Sequence, residues 1–530
     1  MSSGGRDFYA IIKHNRESPR CCKPDIREGL SREHGSIEGM DERVKRMTDK
    51  KLAALLVAGG LCLLTGTAGA APTDSRTSAE KELAASTAAA RDGAEKRDAG
   101  VSTDKMVVSV HRVTVNGTKR MTEDAVKALL PELKKERVNI RKLSMQIQTV
   151  NDTGALVLAT EFRPAGAGAY DVTINVEEKK RDHVRLSVSN TGTEYTGQWR
   201  TALSYVNTNL SDAADLLGVS FVTSPSEFSN VKVGAVSYRH PLPAQQGAVL
   251  LSASYGDVKL EGFNAISGLY DLNMGGKSTN VDLHYQQNIA YTSREKDIFD
   301  FGLSYKRSKS DYNFNFAGTP VGYDNTYSVL MASVNFIHSE RQANSFFRYN
   351  VGLAHNFSGS DKDYERVMPG SDTHFTLLRA GANYQVRTES DWIGALRLQA
   401  QYTNKHIVAA EQIGAGGQMS VRGFDERAIG ADKGIVGSLE IYTPEIAKNT
   451  RLVAFTDFAG LWNNTDSRTG TAFSSDRIAS AGLGVRYTDP KSGFSLSLDY
   501  AKILRDADKV NLAASKQNSR RWNLMASMDF

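Results

Sequence analysis

The sequence predicts a small α+β domain followed by an all-β transmembrane barrel of about 16 antiparallel strands. Three observations carry this reading. From about Arg181 to Phe530, apolar and polar residues alternate at period two in runs of about ten, most of them ending near an aromatic residue and a polar turn. The polar members are Gln, Arg, Ser and Asp throughout, which suits a water-filled lumen with the apolar face turned to lipid. Residues 106–178 differ, with the order β-α-α-β-β.

The chain has 530 residues and a net charge of +5. That charge is mild and lacks a concentrated basic patch with interleaved aromatics, so nucleic acid is not an expected partner. The longest uncharged run, Leu52 to Ala71, reads as an export signal over residues 47–70. Lys50 and Lys51 precede an apolar stretch to Leu64, and Ala68-Gly69-Ala70 supplies small residues for cleavage. Its Gly, Ala and Thr content and the polar chain beyond it argue against a membrane anchor. Residues 1–46 then read as an upstream extension outside the native product. Cys21, Cys22 and Cys62 all precede the cleavage point, so the exported chain needs no disulfide and offers no thiolate. Residues 71–105 are rich in Ala, Glu, Lys, Asp and Ser and build no core. They are either a flexible linker or a helix docked in a pore.

The α/β domain is expected over 106–178. Val107 to Val115 is a valine-rich strand ended by Asn116-Gly117. Thr122 caps a helix with Glu123 and Asp124 in its first turn. A second helix carries Ile140, Leu143 and Ile147 on one face. Ala155 to Phe162 is an apolar strand. In the last strand Tyr170, Val172, Ile174 and Val176 alternate with polar residues. This strand is expected to form an exposed edge that accepts an extended peptide.

The barrel is expected over 181–530. Phe494, Leu496, Leu498 and Tyr500 alternate with Ser495, Ser497 and Asp499. Phe299, Phe301, Leu303 and Tyr305 repeat the pattern, and so do Leu396, Leu398, Ala400 and Tyr402. Only a closed sheet leaves no unsatisfied edge in a bilayer. A long connection is expected near 405–433. It holds Gly414-Ala415-Gly416-Gly417 and then Val421-Arg422-Gly423-Phe424. Eleven strand candidates precede it and five follow. A long connection inside an ordered protein usually serves function.

An export signal, one POTRA-like domain, a sixteen-strand barrel and V-R-G-F in a late loop together resemble one family. It is the two-partner secretion B-component transporters, the ShlB/FhaC/HecB haemolysin secretion/activation type, in the superfamily of the BamA insertase. The chain also ends on an amphipathic strand with Phe530 last, as outer-membrane barrels do. Family members carry F-x-D-x-G on the strand after the loop's return strand. Here Phe455 and Asp457 match, Ala459 replaces the glycine, and Gly460 follows one place later. Members usually have two POTRA domains, and one is identified here. The resemblance implies that the loop folds into the lumen and sets Arg422 against Asp457. A buried guanidinium needs such a carboxylate, and the bidentate fork makes the pairing geometrically specific.

By resemblance the chain resides in the bacterial outer membrane among its lipids, with the POTRA-like domain in the periplasm. It recognises a secreted exoprotein of adhesin or haemolysin type and exports it unfolded. The alternative is a BamA-type insertase that assembles other barrels. No phosphate-loop pattern appears, so no nucleotide is expected, and no cofactor or metal is implied. The ten histidines are scattered without catalytic spacing, so no enzyme activity is expected.

Overall fold

The structure is a computed structural model that describes residues 107–193, 196–266, 270–316, 319–465, 475–507 and 520–530. The expected upstream extension, export signal and linker or plug helix lie outside the described residues.

Thr122 caps α1 (Glu123–Leu129) by accepting a hydrogen bond from the Ala125 amide at 3.2 Å. Asn139 caps α2 (Ile140–Asn151) in the same way, from the Lys142 amide at 3.0 Å. Strands β1 (Val107–Asn116), β2 (Arg137–Asn139), β3 (Leu156–Gly166) and β4 (Ala169–Glu178) form one sheet in the order β2-β1-β4-β3. Strands β1 and β4 are parallel. Helix α2 buries two faces. Leu143 and Val150, with Ile140 and Ile147 beside them, pack in the core with Val172, Ile174 and Val176. The other face meets the barrel: Gln146 Nε2 donates to Pro243 O at 3.2 Å, and Asn288 Nδ2 donates to Thr149 Oγ1 at 3.4 Å. Beside them Lys296 pairs with Asp152 at 2.5 Å.

The sheet order corrects one expectation. Tyr170, Val172, Ile174 and Val176 do not form a free edge, because β4 is hydrogen-bonded to β1 on one side and β3 on the other. Val172, Ile174 and Val176 are buried core residues. Among the described residues, the outermost strands are β2 and β3. Alternation reports which face of a strand is buried; it does not report which strand lies outermost.

Sixteen strands close the barrel. Eleven precede the long connection: β5 (Asp182–Ser189), β6 (Arg200–Asn207), β7 (Leu216–Thr223), β8 (Val231–Leu242), β9 (Gly247–Ile266), β10 (Tyr270–Tyr291), β11 (Glu295–Phe316), β12 (Thr319–Arg341), β13 (Ser345–Asn356), β14 (Phe375–Arg387) and β15 (Ile393–Tyr402). Within that connection β16 (Ile413–Ala415) and β17 (Ile429–Ala431) pair with each other as a separate two-stranded sheet. Five barrel strands follow: β18 (Lys433–Tyr442), β19 (Thr450–Trp462), β20 (Asp476–Thr488), β21 (Phe494–Arg505) and β22 (Arg520–Asp529). The last strand, β22, pairs antiparallel with the first, β5, from Met525↔Ser189 to Asp529↔Arg185.

The faces are arranged as lipid on one side and water on the other require. On β11 Phe301 is 47% exposed on the outside, while Asp300 beside it is 3% exposed on the inside. Leu251, Leu283, Phe299, Leu303, Tyr305, Leu483 and Trp522 continue the outer apolar belt, and Ser220, Ser252, Asp282, Asp499 and Asn523 lie inside. So large an exposed apolar surface is stable only under lipid. Strands β9 to β12 run 20, 22, 22 and 23 residues. At about 3.3 Å per residue the longest spans roughly 70 Å, well beyond what a tilted strand needs to cross a bilayer. Because β12 pairs with β13 only over Met331 to Arg341, its excess length projects from the end opposite the α/β domain.

Candidate functional site

Residues 403–432 enter the lumen from the far end and fold there. Pairing of β16 with β17 makes the connection a hairpin with its own core. Its tip turns sharply, and glycine permits the turn: Gly416, Gly417 and Gly423 have φ of 114°, 100° and 96°. At Gly423 an added Cβ would also approach Ile503 Cγ1 to 3.3 Å and Ala501 Cβ to 3.5 Å on the wall.

The turn aims Arg422 at β18, β19 and β21. Its side chain is fully buried, as are those of Asp457 and Asp499. Arg422 Nε donates to Asp457 Oδ2 at 2.6 Å and Nη2 to Asp457 Oδ1 at 2.7 Å, and the Arg422 amide donates to Oδ2 at 3.0 Å. Nη1 reaches Asp499 Oδ2 at 3.3 Å, and Nη2 lies 2.9 Å from Glu440 Oε1 and 3.3 Å from Ser438 Oγ. The guanidinium stacks on the Phe455 ring, with Cζ 3.3 Å from the ring centroid. The wall groups are themselves tied. Ser438 Oγ donates to Asp457 Oδ1 at 2.6 Å, Tyr442 donates to Glu440 at 2.6 Å, and Arg486 forks onto Asp499 at 2.6 and 3.0 Å. A preorganised acidic cradle thus receives one arginine.

Val421 and Phe424 flank it apolarly. Both are buried in a cluster with Ala415, Ile429, Val436, Ala459, Leu461 and Ile478. Ala459, where the motif has glycine, is a packed member of that cluster.

Three further anchors hold the loop. Asp432 at its base accepts hydrogen bonds from the Ile407 amide at 3.0 Å, Gln412 Nε2 at 3.0 Å and the Asn464 amide at 2.8 Å, and its Oδ2 lies 2.9 Å from His406 Nδ1. Glu411, fully buried, pairs with Lys306 on β11 at 2.8 Å and Arg379 on β14 at 2.9 Å. Counting round the ring through β12, β13, β14, β15, β18, β19 and β20, β11 lies diametrically opposite β21. The loop is therefore pinned to opposite walls and crosses the lumen. Nearer the seam, Asp425 pairs with Arg521 on β22, and Arg521 Nη2 also donates to Asn190 O and Gly192 O at 3.3 and 3.2 Å.

Of the residues singled out in the sequence, the structure brings together Val421, Arg422, Gly423, Phe424, Phe455 and Asp457. Tyr170, Val172, Ile174 and Val176, expected to form a recognition edge, lie apart from this site on the central strand of the α/β domain. Sequence reasoning missed Ser438, Glu440, Asp499, Arg486 and Glu411. Asp499 and Glu440 alternate with apolar residues, which signals a lumen position but not its depth.

A family model described as haemolysin secretion/activation protein ShlB/FhaC/HecB matches residues 168–487, from the residue before β4 through nearly all of β20. The chain belongs to this family. Membership and the apolar-belted closed barrel place it in the outer membrane. Heme/hemopexin transporter protein HuxB of Haemophilus influenzae (strain 86-028NP) is 20% identical over 371 residues, which are 67% of this chain and 62% of that protein. The chain thus spans less than two thirds of the length of this curated relative. Among solved structures, CdiB from Acinetobacter baumannii superposes with a TM-score of 0.63 at 17% identity, covering 80% of this chain and 74% of that one. CdiB from Escherichia coli gives 0.62 at 14% identity, covering 88% and 100%. These two likenesses are of the fold; the residues described above are how this chain builds its lumen loop.

Proposed function

We propose that this family member is the transporter of a two-partner secretion system. It recognises a partner exoprotein in the periplasm and passes it unfolded through the barrel to the cell surface. The observation that carries the reading is the lumen loop, a folded hairpin that crosses the pore and, among the described residues, is joined to the wall through side chains and packing. Such a plug moves aside without breaking the barrel sheet.

The α/β domain is the recognition element. It sits on the near end of the barrel, where a periplasmic chain would enter, and its sheet offers its outermost strands, β3 and β2, as edges for an extended signal. Arg422 and its acidic cradle hold the loop in its resting place, and no nucleotide is required. An exoprotein that folds on release supplies the direction of transport. Adhesins and haemolysins are the cargo class of the family, and the name of the H. influenzae relative adds haem-linked proteins.

Deleting residues 106–178 tests the reading. Secretion of the partner is expected to cease while the barrel remains folded and heat-modifiable in membranes. Normal secretion by that variant would remove the recognition role.

A further inference from the structure

The wall alternation breaks beneath the loop tip and again across β12 to β14. On β12, Tyr327, Val329 and Met331 point into the lumen, and Ala354 on β13 with Phe375 and Leu377 on β14 join them in one buried apolar cluster. A water-filled pore has no use for such a patch. What covers it is the connection between β13 and β14, residues 357–374, together with Ile407 and Val408 of the lumen loop.

This connection is built to stay in place. Ser360 caps helix α3 (Asp361–Val367). From that helix Tyr364, fully buried, reaches the wall, donating its hydroxyl to Ser328 O at 3.0 Å. Its ring meets that of Tyr327 edge-on at 5.8 Å. Gly359, at φ 133°, lies so close to the Tyr364 ring that an added Cβ would come within 2.8 Å of it. Asn356 staples both ends of the connection. Its Nδ2 donates to Ser358 O at 2.7 Å and Thr373 O at 2.5 Å, and its Oδ1 accepts from the Leu330 amide at 2.9 Å.

The connection is also joined to the stem of the lumen loop. The Asp372 amide donates to His406 O at 2.8 Å, Lys405 Nζ lies 3.4 Å from Asp372 Oδ1, and Ile407 and Val408 share the apolar cluster. A lumen loop that swings out carries these two side chains with it and opens the joint beneath α3.

We propose that residues 357–374 form a second plug at the outer end of the lumen, and that it is released together with the lumen loop as one gate. The inference rests on the export reading above for its purpose, but not for its test.

The test reads thiol accessibility in the full chain with Cys21, Cys22 and Cys62 replaced by serine. Leu377→Cys lies on the wall beneath the plug, and Val329→Cys is a second reporter should the first misfold; heat-modifiable mobility establishes folding. A membrane-impermeant maleimide added outside cells is expected to label either reporter slowly. Replacing residues 359–372 by a short Gly-Ser linker should speed labelling at least about tenfold, the protection lost when a cover opens. Arg422→Ala/Glu411→Ala, which removes the loop's buried ion pairs to the two opposite walls, should do the same, with Ala415→Cys reporting release of the loop itself. If that double variant leaves Ala415→Cys protected, replacing residues 404–431 by a linker removes the loop and its joint outright. Fast labelling of Leu377→Cys in the unaltered chain, or no change when the plug is removed, overturns the plug. Rapid labelling of Ala415→Cys with Leu377→Cys still protected, or protection that survives the loop replacement, overturns the coupling. Loss of export alone does neither: coupled labelling with no partner secretion sinks the export reading and leaves the gate standing.

Discussion

Arg422→Ala is the most informative single perturbation of the lumen loop. It removes two charge-assisted bonds to Asp457, the contacts with Asp499, Glu440 and Ser438, and the stacking on Phe455. Asp499 keeps the Arg486 fork and Glu440 keeps Tyr442. Asp457 fares worst, retaining the Ser438 hydroxyl and the backbone amide at 422. Removing one partner of a buried pair costs about 3–5 kcal/mol, most of it the stranded charge. A loop that leaves the cradle lets water in, so the lower end applies, about 3 kcal/mol. That corresponds to more than a hundredfold shift toward the released loop. Asp457→Ala should cost a similar amount, and the double variant should cost at least about 1 kcal/mol less than the sum of the two. Equilibrium unfolding of the purified barrel in detergent measures all three. Single effects below about 0.5 kcal/mol, the range of ordinary surface substitutions, would refute the reasoning, as would strict additivity. Arg422→Lys should recover only part of the loss, because an ammonium cannot form the fork while lying flat on Phe455.

Two further outcomes follow from individual contacts. Phe455→Leu keeps the apolar volume but loses the ring face under Arg422; the same unfolding measurement should show a loss of about 1–2 kcal/mol, and no loss in an Arg422→Ala background. In the α/β domain, burial alone would push the Glu178 carboxyl up, but the amides of Lys119, Met121 and Arg120 and the Arg120 side chain outweigh it and hold it at about 2. Its side chain is only 2% exposed. Because the folded value lies below the ordinary value of 4.5, the stabilisation is complete above 4.5 and is lost as pH falls from there through about 2. Thermal melts of the domain between pH 6 and 2 should lose at most about 3 kcal/mol of stability from this group, and Glu178→Gln should flatten that slope.

Much of this was legible from local pattern. Period-two alternation marked the barrel strands, and its interruption near residue 405 placed the loop after the eleventh. Arg422 and Asp457 could be paired because an arginine in a lumen loop needs a carboxylate and the motif placed one on the following strand. Strand order in the α/β domain was not legible. The parallel β1–β4 pairing joins segments separated by two helices, so Tyr170 to Val176 looked like an edge and is central. Glu411, Lys306 and Arg379 come from distant parts of the chain, and only closure of the barrel brings them within reach. On β12, Leu330 and Val334 are apolar outside while Tyr327, Val329 and Met331 are apolar inside. A strand apolar on both faces shows no alternation there, so the interior patch and helix α3 stayed hidden.

The central claim is passage of a polypeptide through this lumen. It is tested most directly by placing a photoreactive amino acid at Asn523, which faces the lumen, and separately at Leu483, which is 66% exposed on the outer belt. Irradiation of cells actively secreting the partner is predicted to cross-link it from position 523 and not from position 483. Secretion at full rate with no cross-link from 523, or with cross-links from 483 alone, would contradict the account.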